Sequence, residues 1–348
     1  MLLTIVAFLF VFTVIAVVHE WGHLFFSKRA GIRVHEFGIG FGPTLFSTTR
    51  NNTVYKINLL PILGYVKIAG IDTEDPEEEH TPESEKFYNK PAGQKFKSIF
   101  AGPMMNLLLG FMVFSLVFMF SGVPTGISNE LSAISPGSEA AKIGLHSGDK
   151  LISIDGQQFE NAEDAISLIH KSADKKLKLV IERDGERLSL AATPTYNKRL
   201  KVGLIGFSLK PIYEKVGPLK SLYYGLKETV GLILLILTLL GRLLVGKLSL
   251  GDLAGPVGIA QITGQYAHQG ITSFMSFLAF FSINVAVLNL LPIPALDGGR
   301  LFFVILEAIR RKPISMEKEN RVHAVGLFIL LGLIALLTIN DLIRIFLR

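Results

Sequence analysis

His19-Glu20-Trp21-Gly22-His23 ends an apolar run, residues 2–18, that holds no charge. On a helix the two histidines, four residues apart, share one face and can supply two of the four tetrahedral ligands of a zinc ion. Glu20 then lies beside the metal, where it can act as a general base toward water. An ionisable cluster next to so apolar a segment is costly enough to demand a function. Because the run is long enough to cross a bilayer, the zinc ligands and the first span are one element. At about 1.5 Å per residue His19 lies about 26 Å from Leu2, close to the second membrane face.

Composition supports this reading. A mean hydropathy of +0.45 and 49% hydrophobic residues are too apolar for an ordinary soluble chain and indicate an integral membrane protein in contact with lipid. The 348 residues leave room for a few spans and one small soluble domain. The net charge of +6 is scattered over Lys and Arg with no basic block, which argues against a nucleic-acid partner and for a cytoplasmic membrane face. There is no cysteine, so the third zinc ligand must be His, Asp or Glu. The N-terminal run lacks a basic leader and a small-residue cleavage site and is too long for a signal peptide. It is expected to be a retained span.

Working outward, the expected fold class is a polytopic α-helical membrane protein with four transmembrane helices, a membrane-associated β-hairpin or small sheet, and an inserted α+β domain. The first membrane part covers residues 1–122, with spans at 2–26 and 99–120. Between them, residues 37–69 break helical periodicity with Gly38, Gly40, Gly42 and Pro43, and Asn51-Asn52 is expected to turn between two strands. Gly64, Tyr65 and Val66 fall on a further strand whose edge can pair with an extended peptide, a purely structural hairpin being the alternative. Residues 72–85 are acidic and read as a solvated loop. Pro103 is expected in the first turn of its helix. Residues 125–210 have a soluble composition. Residues 211–270 form an amphipathic or re-entrant interfacial region, since only thirteen uncharged residues separate Glu228 from Arg242. The second membrane part, residues 271–348, carries spans at 271–291 and 322–339.

Charge and parity set the topology. Residues 27–97 hold ten Lys or Arg and residues 298–321 hold six, so both connections are expected on the cytoplasmic side and the soluble domain outside. The first and third spans then run in the same direction. The third ends in Asn289-Leu290-Leu291-Pro292-Ile293-Pro294-Ala295-Leu296-Asp297-Gly298-Gly299, where Pro292 and Pro294 break the helix. Asp297 arrives at the depth of the histidines and is the expected third ligand, with a helix cap as its alternative role. A fifth span at residues 231–245 would put Asp297 about 25 Å from His19, beyond coordination.

Two resemblances follow from these residues. Ala140-Ala141-Lys142-Ile143-Gly144-Leu145-His146-Ser147-Gly148-Asp149 is similar to bacterial PDZ domains, which implies binding of a peptide C-terminus by strand addition, a steric module being the other reading. The whole set, HExxH in the first span, Gly-Tyr-Val after a hairpin, the outward domain and Asn-x-x-Pro-x-Pro-x-Leu-Asp-Gly in the third span, resembles the site-2 protease family of intramembrane zinc metalloproteases, in its bacterial regulator-of-sigma-E protease branch. The resemblance implies one zinc ion on His19, His23 and Asp297, catalysis by Glu20, and substrate handling by the hairpin residues and by Asn284, Asn289, Pro292 and Pro294. It also implies single-pass membrane proteins such as anti-sigma factors or signal-peptide remnants as substrates. The location implied is the bacterial inner membrane, with the active site toward the cytoplasm and the PDZ domain outside. Some relatives carry two PDZ domains; this chain has room for one.

Two other classes fit the residues less well. A metal or proton transporter would need further polar residues along its spans, and the fourth offers only His323, Thr338 and Asn340 near its ends. A silent membrane scaffold has no use for an intact HExxH.

Overall fold

The structure is a computed structural model that describes residues 1–71, 76–159, 161–197, 200–247, 251 and 253–346. The chain begins with α1 (Leu2–Arg29), β1 (Val34–Arg50), β2 (Thr53–Ile68) and α2 (Ala92–Ser121). There follow β3 (Val123–Ile134), α3 (Glu139–Lys142), β4 (Lys150–Ile154), β5 (Gln157–Gln158) and α4 (Ala162–Lys171). Next come β6 (Leu177–Arg183), β7 (Glu186–Ala192), β8 (Thr195–Asn197), β9 (Val202–Leu204) and β10 (Phe207–Glu214). The chain closes with α5 (Pro218–Leu244), α6 (Pro256–His268), α7 (Ile271–Leu290), α8 (Asp297–Arg310) and α9 (Met316–Phe346). Two compact units result, one of Met1–Phe118 with Gly217–Arg348, the other Met119–Val216.

In the first unit, α1, α2, α7 and α9 are long and apolar enough to cross a membrane. Ala7, Val11, Ile15, His19 and His23 recur every fourth residue on α1 and are its inward stripe. The helix stops after Lys28 and Arg29, where Gly31 takes φ +65°. Phe10 meets Phe274 and Phe12 meets Phe281, so α1 and α7 run in parallel. That direction carries the end of α7 to the level of the histidines. Helix α2 crosses the other way: Gly22 faces the Ala101 carbonyl and Gly110 faces Ile283, with no room for a Cβ at either glycine. Pro103 lies in the interior of α2, against the expectation of a first-turn proline. The helix starts at Ala92, because its first two turns are half polar and bury Lys95 and Ser98, a pattern that a search for apolar runs passes over.

The hairpin doubles back on itself. Residues 34–39 pair on one side with residues 54–57 and on the other with 64–68, while 44–50 pair with 53–58. Asn51 and Asn52 adopt φ 49° and 57°, the backbone of a tight two-residue turn. Residues 64–68 therefore form an edge of this sheet, and Gly64 lies against the backbone of Val17, two residues before His19. The acidic segment is better anchored than a solvated loop: Glu78 is buried and accepts from the Gly70 N–H, and Glu85 pairs with Arg33 at 2.7 Å. Its residues 72–75 lie outside the described residues. At the other end of the bundle α6 packs Gly264 against Thr4, and its Gly258 N–H donates to Asp341 of α9 at 2.8 Å.

The second unit is built on a sheet ordered β10-β3-β4-β6-β7, with β5 on β4 and a separate β8-β9 hairpin. Leu131, Ile154, Leu179 and Ile181 form its core, against which α4 lays Ala165 and Ile169. Buried Asp149 accepts two hydrogen bonds from Arg183, at 2.7 and 2.8 Å, and one from the His146 N–H. Those bonds from Arg183 hold its carboxyl below the usual range against burial, which pushes it up.

Candidate active site

His19 and His23 lie on adjoining turns of α1 with their Nε2 atoms 3.1 Å apart. Asp297, the first residue of α8, puts Oδ2 2.9 Å from His19 Nε2 and 3.4 Å from His23 Nε2. All three donor atoms lie within 4.8 Å of one another. Zinc bonds of about 2.0–2.1 Å at tetrahedral angles separate ligand atoms by roughly 3.3 Å, close to this triangle.

The protonation pattern also suits a cation. His23 Nδ1–H donates to the Ser98 carbonyl at 2.9 Å, which leaves Nε2 with only a lone pair. Asp297 Oδ2 is shut off from solvent with no hydrogen-bond partner among the described residues. With both rings protonated on Nδ1, the two Nε2 lone pairs and the carboxylate converge without a donor and repel one another unless a metal stands between them. Glu20 is half-buried on the next position of α1 and makes no side-chain hydrogen bond among the described residues.

The outer shell comes from α2. Gly102 passes so close that a Cβ there would overlap the Nε2 atoms of both histidines. Four residues on, fully buried Asn106 faces His19 Nδ1 through its amide at 3.2 Å, and Ser282 of α7 donates to the Asn106 backbone carbonyl at 2.8 Å. An imidazole that gives Nε2 to a metal carries its proton on Nδ1. A half turn of the Asn106 amide would offer that proton Oδ1, which otherwise has no partner among the described residues. Sequence reasoning alone misses both Ser98 and Asn106. The legible signal is Asn106 inside an apolar run, on one face with Gly102 and Gly110 at helical spacing.

The other candidate residues are placed as follows. Tyr65 donates to Glu36, and Val66 packs with Phe37 beneath the hairpin. Hydrogen bonds from Lys56 and Tyr65 hold the Glu36 carboxyl below its ordinary value, although its partial burial pushes it up. Asn284 and Asn289 are half-buried on α7 without a side-chain partner among the described residues. Pro292 is exposed, and Pro294 lies against Gly326 of α9. In the second unit a cleft of about 490 Å³ between α4 and the sheet is lined by Ile127, Leu151, Phe159, Ala165 and Leu209.

Among known proteins, the family model described as Peptidase family M50 matches residues 7–333. The chain is similar to zinc metalloprotease RasP of Bacillus licheniformis, 34% identical over 421 aligned residues that take in 99% of this chain and 100% of the relative. It is equally similar, at 34% identity over 99% of both chains, to the regulator of sigma-W protease RasP of Bacillus subtilis. Among solved structures, the PDZ domain of an SdrC-like protein from Listeria monocytogenes matches 24% of this chain and 86% of its own, at 24% identity and a TM-score of 0.22.

Proposed function

The chain belongs to peptidase family M50 as an intramembrane zinc metalloprotease, and from that premise we propose that it cuts single-pass membrane proteins with Glu20 as general base and His19, His23 and Asp297 as zinc ligands. The observation that carries the assignment is the convergence of those three side chains, from two separate helices, beside Glu20, which makes no side-chain hydrogen bond among the described residues. Zinc bound there supplies a Lewis acid that polarises the scissile carbonyl and acidifies water. Glu20 accepts a proton as the water oxygen bonds to the carbonyl carbon, and returns it to the amide nitrogen as the C–N bond breaks.

A helical substrate has its carbonyls hydrogen-bonded and must unwind before attack. The edge strand at residues 64–68, next to the turn of α1 that precedes His19, is suited to hold the unwound segment and satisfy backbone groups that lipid cannot. Asn284 and Asn289, without side-chain partners among the described residues, would donate to substrate carbonyls, and exposed Pro292 and half-buried Pro294 follow on the chain. The name of the Bacillus subtilis relative supports anti-sigma factors as a substrate class. The basic connections favour a site toward the cytoplasm, with residues 125–210 outside as a PDZ-like module whose cleft suits a peptide C-terminus.

Glu20→Gln tests the assignment directly. It should keep zinc but lower cleavage of a single-pass substrate by about 10³-fold or more, since an amide cannot take the proton. Asp297→Ala should lose zinc as well as activity. Near-normal turnover by the glutamine variant would remove Glu20 from the mechanism, and full metal content in the alanine variant would require another third ligand.

A further inference from the structure

The segment that delivers Asp297 closes two tight turns of its own, from the Ile293 N–H to the Leu291 carbonyl at 2.7 Å and from the Leu296 N–H to the Ile293 carbonyl at 3.2 Å, but leaves one N–H to be met from outside. Pro292 and Pro294 have no N–H to donate, and Ala295 takes φ +79°, a left-handed conformation that a residue with a Cβ resists. Its N–H donates outside the segment, to His323 Nδ1 of α9 at 3.0 Å. His323 is 8% exposed, and its ring lies 5.9 Å from that of Phe303 on α8. With Nδ1 accepting, its proton sits on Nε2, 4.0 Å from Glu319 Oε1, and Glu319 pairs with Arg300 of α8 at 3.4 Å. Three residues along the same face of α9, Gly326 meets Pro294 so closely that a Cβ would lie 2.7 Å from the proline carbonyl atoms.

We propose that His323 is a positioning residue for the metal site: by accepting the Ala295 N–H it pins the strained turn two residues before Asp297, and so fixes the reach of Asp297 Oδ2 to the histidines. Gly326 belongs to the same device, as the gap in α9 into which Pro294 fits. The turn is strained at Ala295, whose N–H is met by His323, so without this acceptor it relaxes, and a shift at Ala295 passes through Leu296 alone to the first residue of α8. The inference rests on the reading of Asp297 as a ligand.

The test compares zinc retention of the full-length protein against graded chelator, with kcat and KM on a single-pass substrate and thermal melting in detergent. His323→Leu keeps bulk but offers no acceptor, and should weaken zinc retention about 10- to 100-fold, with kcat falling and KM nearly unchanged. His323→Asn puts Oδ1 where Nδ1 stood and should recover most of both. Wild-type zinc retention and kcat in the leucine variant, or equal losses in both variants, would overturn the proposal. Should the leucine variant fail to fold, His323→Asn is set against Gly326→Ala, which keeps His323 but displaces Pro294. The alanine variant must then lose zinc while the asparagine variant keeps it, and any other order overturns the proposal. Asp297→Ala, measured alongside, separates the two readings. Zinc retained there defeats the ligand assignment, whereas zinc lost there but kept in His323→Leu defeats only the positioning role.

Discussion

The two units differ in how much polar chemistry they bury and how much apolar surface they expose. In Met119–Val216 the interior is Leu131, Ile154, Leu179 and Ile181, and most charges lie outside. In the helical unit His19, His23, Ser27, Ser98, Asn106 and Ser282 are inside beside Val11 and Ile283, while Phe328 is 75% and Ile329 69% exposed. The first arrangement is what water selects, and the second is what a hydrocarbon solvent selects, where the costly groups are polar ones left without partners. An exposed leucine therefore means different things in the two units, and so does a buried serine.

The largest test of that contrast is Leu331→Arg, midway along α9 and half exposed. If lipid surrounds α9, the charge should cost about 3 kcal/mol of insertion, read from the inserted fraction of a C-terminal reporter fusion. A surface site in water would show a change within about 0.5 kcal/mol. Next, Arg183→Ala strands the buried Asp149 carboxylate and should destabilise the second unit by about 2–3 kcal/mol without altering zinc content, as followed by thermal melting and metal analysis. The folded carboxyl lies below its unfolded value of about 3.9, so the pair contributes fully above that pH and its contribution fades as pH falls through the folded value. Melting of the wild-type unit should thus decline below about pH 4, and the alanine variant should show a flatter profile. Asn106→Leu, a change of similar bulk, should lower zinc affinity about 10- to 100-fold in a chelator competition while the helices still form. Lys210→Ala, which breaks the exposed pair with Glu130, should shift melting by no more than about 0.5 kcal/mol. A large effect there would place that surface somewhere other than in water.

Much of the architecture was legible because its signals are local. Apolar runs mark α1, α2, α7 and α9; Asn51-Asn52 marks the hairpin turn; Asp184-Gly185 marks the turn between β6 and β7. Strands β3 and β10 are not legible, since their burial alternates weakly and each pairs with the other across the whole second unit, and β8 and β9, though neighbours in the chain, are only three residues each. In the hairpin, the central place of residues 34–39 was likewise hidden. A strand between two others looks no different from an edge strand when only its own residues are considered.

By itself the sequence determined the chemistry available at the site. Four-residue spacing puts two imidazoles on one helical face, an adjacent carboxylate supplies a base, and two prolines before an aspartate end a helix where a ligand is wanted. Tertiary structure alone decided which groups hold that chemistry in place: Gly102 yields space to the histidines, Ser98 and Asn106 face their outer nitrogens, and His323 meets the Ala295 N–H from the far end of the chain. The physical reason is range. Helical periodicity and proline geometry act within a few residues, whereas a hydrogen bond between α1 and α2, or between α9 and the turn before α8, exists only once packing has brought the helices together, and no spacing in the chain encodes that meeting.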